Sequence, residues 1–274
     1  MILESIPPLL SAIYAGLFGL ALGSFLNVCV LRWPEDRSVI SPRSRCPGCD
    51  EEIAWYDNVP VVSWILLRGR CRRCGMRIAL QYPLTELAVG LIWAGFVYRY
   101  GVEWESVRGS LLLTLLLGIA LTDVRFYIIP DQFSVGGMIV GLLMALLPGG
   151  IDVVAAVSGA ALGFLGFWAL GASMTWFLRR FAPDRLEKAG VDQALGGGDV
   201  KMMGMVGAFL GPAGVPLTVF LGTVLGLVIF VPISMRTGKL IPFGIFLAAG
   251  AAVTYGWGDW ILDWYLGSVV GLPR

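Results

Sequence analysis

Hydrophobic residues fall along this chain in long blocks, not in alternation. Eight apolar segments lie at about 6–31, 84–100, 107–122, 133–148, 151–178, 200–211, 214–235 and 240–267, separated by short charged pieces. Blocks of about 18 or more apolar residues are long enough to cross a bilayer as helices. The pattern predicts an all-α polytopic membrane protein with about eight transmembrane helices. The third and sixth blocks are short. The last carries Gly256, Gly258, Asp259 and Asp263, which leaves its end either spanning or lying in the interface. The first block is preceded by Glu4, not by a basic stretch, and shows no small-residue cleavage site. It therefore reads as a retained helix and not as a signal peptide.

Composition agrees and narrows the chemistry. The chain is 57% hydrophobic and 14% charged over 274 residues. Its net charge of +1 supplies no basic field, so no nucleic acid partner is expected. There is no histidine, which removes Ser-His-Asp triads, Cys-His dyads and His-ligated metals. With the N-terminus outside and each block crossing once, the inner side holds 32–83, 123–132, 179–201 and 235–241. Seventeen of the twenty Lys and Arg then lie inside, as the positive-inside rule requires. Both termini are expected outside and the long loop 32–83 in the cytoplasm. Four small-x3-small pairs, Gly19/Gly23, Gly137/Gly141, Gly159/Gly163 and Gly222/Gly226, mark helix contacts.

The loop carries Cys46-x2-Cys49 and Cys71-x2-Cys74, with 21 residues between the pairs. Two such knuckles supply the four soft ligands that tetrahedral Zn²⁺ prefers. Pro47, Gly48 and Gly75 are suited to the turns. Arg45, Arg70, Arg72 and Arg73 are expected to offset the thiolate charge. Disulfides fit poorly with a reducing cytosol, and a redox dithiol would sit in a βαβ unit. A site with four cysteines is closed, hence structural and not catalytic. Cys29, in the first helix, reads as a small buried apolar residue.

Carboxylates at a membrane edge are costly and ask for a reason. Asp123 closes the third block and Asp199 opens the sixth, in "LGGGDVKM", both on the cytoplasmic side of the predicted topology. Two carboxyls a few Å apart resist double ionisation and share a proton. One can then activate water while the other polarises a carbonyl, with no histidine or metal required. Gly196, Gly197 and Gly198 allow a substrate backbone to approach. The plainer reading makes Asp199 a helix N-cap, and Asp131, after Pro130, is read first as an N-cap too. Lys201 and Arg125 are placed either to snorkel or to tune the acid pair.

Taken together, the chain resembles the type IV prepilin peptidases. The resemblance rests on "GSFLNV" at 23–28, the cysteine pairs enclosing "WYDNVPVVSW", "QYPLTEL" at 81–87, "TDVRFYIIPD" at 122–131 and the Gly-x-Gly-Asp of 196–199. It implies a GxGD aspartic endopeptidase of the bacterial inner membrane. Such an enzyme cuts the basic leader from prepilins and pseudopilins after a glycine. It implies that Asp123 and Asp199 are catalytic, the first being the aspartate that heads "DVRFYIIPD", not Asp131. Gly196, Gly198 and Lys201 would lie near that site. It also implies N-methylation of the new amine with S-adenosylmethionine. No glycine-rich fingerprint for that donor is visible, and Glu86 is its candidate residue, against a plain first-turn acid. Members without the cysteine pairs exist, so zinc fits support of the loop. The implied domains are a first transmembrane helix at 1–31, a zinc-binding loop at 32–83 and a membrane-embedded peptidase at 84–274. A proton- or ion-coupled transporter would also use membrane-edge carboxylates. A non-enzymatic assembly scaffold is the third class. The transporter does not explain the cysteine loop or the motifs, and a catalytically dead but assembly-competent double aspartate variant would favour the scaffold.

Overall fold

The computed structural model describes residues 7–183, 192–237 and 242–270. The helices in chain order are α1 (Pro8–Arg32), α2 (Val62–Leu66), α3 (Gln81–Tyr100), α4 (Trp104–Phe126), α5 (Asp131–Met144), α6 (Val153–Phe181), α7 (Gly197–Thr237) and α8 (Gly244–Trp264). A π-helical stretch, Tyr265–Val270, follows α8. Among the described residues there is no strand, only two isolated bridges in the cysteine loop. The protein is all-helical and crosses the membrane several times. Five helical stretches are long and apolar enough to span: Pro8–Glu35, Trp104–Phe126, Val153–Phe181, Gly197–Ile229 and Gly244–Ser268. Arg185, Lys188, Lys239 and Arg274, which enter the charge asymmetry, lie outside the described residues.

Local chemistry sets the helix boundaries. Pro8 opens α1 at a position where its missing N–H is no loss. Asp152 caps α6 by accepting from Val154 N at 2.9 Å. Gly101, at φ 79°, ends α3. The expected short third segment is a full 23-residue helix, because Ser106, Arg108, Thr122 and Asp123 continue it as buried polar positions. The expected sixth and seventh segments are two helices that abut within α7. They meet at Gly211 (φ 71°, ψ −177°), where Pro212 follows and forbids a continuous ladder.

Two compact units divide the chain at 114/115, inside α4. In the first, α1 packs along α3. A β-carbon on Gly23 would lie 2.6 Å from Glu86 Cα, so only glycine permits this approach. Asn27 Nδ2 donates to Tyr82 O at 3.1 Å, fastening the end of α1 to the start of α3. In the second unit, α7 is the central helix and packs against α5, α6 and α8. Met202, Met203, Met205, Val206 and Phe209 are among its buried side chains. Gly159 of α6 meets Gly207 of α7 backbone to backbone. The outward side chains, such as Leu17, Trp168, Trp176 and Leu227, are large and apolar, as lipid contact requires.

Candidate active site

The second unit gathers the membrane-edge acids. α4 ends just past Asp123. Tyr127, at φ 58°, turns the chain so that Ile128–Pro130 leads directly into α5. Asp123 is 5% exposed, and its Oδ2 accepts from Ile245 N at 3.0 Å. Ile245 is the second residue of α8. The carboxylate therefore sits on free backbone N–H groups at a helix N-terminus, where negative charge is favoured. Gly244 makes that approach possible: a β-carbon there would stand 2.6 Å from Asp123 Oδ2 and 2.9 Å from Ile129 Cδ1.

Asp199 lies in the first turn of α7, directly after Gly198. Ile129, 8% exposed, connects the two sides. It touches the Gly244 position through Cδ1, and a β-carbon on Gly198 would lie 3.0 Å from its Cβ. Asp123, Asp199, Gly198, Gly244 and Ile129 thus form one cluster from α4, α7, α8 and the α4–α5 link. The three glycines are not equivalent. A β-carbon on Gly196 would lie 3.2 Å from Asp199 Oδ2, one on Gly198 would press on Ile129, and of the three only Gly197 opens into empty space.

Two N-cap readings are corrected. Helix α7 begins at Gly197, so Asp199 stands inside the first turn and is not its cap. Pro130 is the N-cap of α5, and Asp131 is its first residue, with no side-chain bond to its own helix. Asp131 instead receives Lys201 Nζ at 2.7 and 2.9 Å, tying α5 to α7. Lys201 is thereby committed to Asp131. Arg125 lies over the Phe126 ring at 5.3 Å on the exposed side of α4. Gly244 and Ile245 escape a sequence reading, although "IPFG" at a helix start marks free N–H groups and a backbone able to come close.

The first unit brings the four cysteines together. All are free thiols, with ligand atoms within 4.8 Å of one another. Cys46 Sγ and Cys74 Sγ are 3.7 Å apart. Tetrahedral zinc with bonds of about 2.3 Å needs sulfur spacings near 3.8 Å, so the set fits. The two knuckles repeat one design. Cys46 N donates to Glu51 O at 3.0 Å and Cys71 N to Met76 O at 2.8 Å. The residue after each second cysteine, Asp50 or Gly75, has positive φ. The N–H groups of Cys74 and Arg73 bring the Cys71 thiol down to about 7. At Cys49 the Glu51 N–H pulls down, but desolvation and the other three thiols outweigh it and push the group up to about 11. Three of the four flanking arginines do not serve the thiolates. Arg45 pairs with Asp50 and Glu52, Arg72 with Asp57, and Arg73 with Glu51, which braces the knuckles. Cys29 is buried in α1 as expected.

Glu86 is 8% exposed and accepts from Val61 N at 2.7 Å. Helix α3 starts at Gln81, so Glu86 is beyond the first turn and is not a dipole complement. Val61 has φ 60° and ψ −48°, and Val62 N reaches back to Pro60 O at 2.6 Å, a γ-turn that is rare for a β-branched residue. Glu86 holds that turn against the helix.

Known proteins share this organisation. Residues 17–100 match the Bacterial Peptidase A24 N-terminal domain, and residues 110–231 match the Type IV leader peptidase family. The prepilin leader peptidase/N-methyltransferase of Stutzerimonas stutzeri is 32% identical over 94% of this chain and 95% of its own length. The chain belongs to the type IV leader peptidase family. A Bacillus subtilis (strain 168) relative of the same name is 31% identical over 93% of this chain and 98% of its own. A Myxococcus xanthus (strain DK1622) relative is 37% identical over 85% of this chain and 66% of its own length. No solved structure matches. The leader peptidase match covers both Asp123 and Asp199, and the N-terminal match covers all four cysteines.

Proposed function

We propose that this chain is a prepilin leader peptidase and N-methyltransferase of a bacterial inner membrane, and that Asp123 and Asp199 are its catalytic residues. The observation that carries this is the pair itself: two acids 76 positions apart converge on one site built of glycines and a buried isoleucine. The substrate's apolar helix packs among the lipid-facing helices, and its basic leader stays in water. One carboxylate takes a proton from water as the oxygen attacks the scissile carbonyl. The partner's proton goes to the carbonyl oxygen and then, as the tetrahedral adduct collapses, a proton passes to the leaving nitrogen. Gly197, with open space before it, is where the substrate backbone passes. The 17-to-3 charge asymmetry supports a site at the cytoplasmic face with both termini outside.

Zinc at Cys46, Cys49, Cys71 and Cys74 would cross-link the loop, with no part in hydrolysis. S-Adenosylmethionine is the donor that N-methylation calls for. The cavity in the loop unit does not suit its sulfonium cation, being lined by Arg32 and Arg43 and by no acidic residue. No methyl-transfer step is derived from it. Mass spectrometry of a prepilin co-expressed with this chain tests the proposal. Loss of the leader with a methyl group gained is expected. An intact prepilin beside well-folded, membrane-inserted protein would overturn the reading.

A further inference from the structure

Where α1 leaves the bilayer, the chain folds back over its last turn and leaves a half-open cavity of about 220 Å³. That is roughly seven times a water's share of liquid volume, enough for a phosphodiester and part of its glycerol. Its wall has two characters. Val28, Ile40 and Trp55 are apolar, and Ile40 and Trp55 are 87% and 73% exposed although they lie beyond the spanning helix. Arg32, Arg43, Ser44 and Asn58 are polar, and no acid lines the space.

The two arginines differ from their neighbours. Arg37, Arg45, Arg72 and Arg73 are each paired with a carboxylate. Arg32 instead donates to the carbonyls of Ser38 and Pro42, both at 2.8 Å. Its guanidinium is thus fixed in place, and no carboxylate pairs with it among the described residues. For the Arg43 guanidinium, the Ser44 hydroxyl and the Asn58 carboxamide, no protein partner occurs among the described residues. Two positive groups and two free hydrogen-bonding groups converge on one space, beside exposed apolar side chains at a membrane edge. Guanidinium pairs well with phosphate, and basic pockets at this depth suit anionic headgroups.

We infer that this cavity is a binding site for the phosphate of an anionic phospholipid. Arg43 and Arg32 hold the phosphate oxygens, and Ser44 and Asn58 donate to it. Ile40 and Trp55 rest in the headgroup layer, so the lipid seats the cysteine loop on the bilayer.

Native mass spectrometry of the full-length, zinc-loaded protein in detergent tests this, with phosphatidylglycerol, phosphatidylcholine or inorganic phosphate added. Phosphatidylglycerol should be retained over phosphatidylcholine and should not be displaced by equimolar inorganic phosphate. Arg43→Glu should lower retention about tenfold, the loss of one charge-assisted contact. Asn58→Ala should lower it about threefold, as for a neutral one. Arg37→Ala, outside the cavity, should leave it unchanged. Zinc content checks the fold of each variant, and Asn58→Ala decides the matter should Arg43→Glu misfold. Equal retention of both lipids, retention unaffected by the cavity variants, or occupancy by inorganic phosphate alone would overturn the inference.

Discussion

Replacing Gly244 by alanine isolates the contact between α8 and Asp123. The new methyl would lie 2.6 Å from Asp123 Oδ2, 3.0 Å from its Cγ and 2.9 Å from Ile129 Cδ1. Relief needs a shift of roughly 0.6–0.8 Å, because carbon and oxygen pack comfortably only beyond about 3.3 Å. The same Oδ2 accepts from Ile245 N at 3.0 Å, and that shift takes the bond past the range where it is effective. The carboxyl then leaves both its donor and its register with Asp199. Misplacement of a reacting group by about 1 Å costs roughly 10²-fold in rate. Overpacking of one methyl costs about 1–3 kcal/mol of stability, which a helical bundle of this size tolerates. Gly244→Ala should therefore fold, insert and bind substrate, with kcat for leader cleavage down about 10²-fold and KM nearly unchanged. Gly256→Ala, on the same helix with nothing within 4 Å, is the matched control. Wild-type kcat in Gly244→Ala would refute the role given to the α8 N-terminus.

The remaining expectations concern the supports of the site. Metal analysis should find about one zinc per chain, and Cys46→Ser or Cys71→Ser should lower it, since one site uses all four thiols. Acid should release the zinc, because protons compete for thiolates. Cys71, held near 7, is deprotonated more readily than Cys49, near 11, so metal must displace the Cys49 proton and affinity should rise with pH through the neutral range, as a chelator-dye titration would show. Glu86→Ala should strand the Val61 N–H, cost about 1–3 kcal/mol and speed proteolysis of the loop, whereas Glu86→Gln keeps an acceptor and should be milder. Lys201→Met should cost no more than about 1 kcal/mol in a thermal melt, since its Asp131 partner is 61% exposed on the side chain.

Much of this was legible from spacing alone. The apolar blocks became helices, and Gly19/Gly23 and Gly159/Gly163 lie at helix crossings, because small residues are what a close approach needs. Each cysteine pair is legible because its knuckle is closed by local backbone bonds. What stayed hidden depends on partners distant in sequence. Asp131 looks like a cap, since nothing local announces Lys201 seventy residues on. Asp123 and Ile245 are 122 residues apart. The Gly211 break was written in the Gly-Pro pair, yet that pattern alone does not tell a kink from a loop between two helices. Three of the flanking arginines were misread because acids of the same loop, five to twenty-two positions away, captured them first.

Asp123 and Asp199 as a single catalytic unit are the central claim. Single-turnover cleavage of a purified prepilin by the wild type, Asp123→Asn, Asp199→Asn and the double variant tests it most directly. All three variants should retain fold and zinc. Each single change should abolish cleavage, with the double no worse than either, as for residues that act together. Near-normal cleavage by either single variant would contradict it.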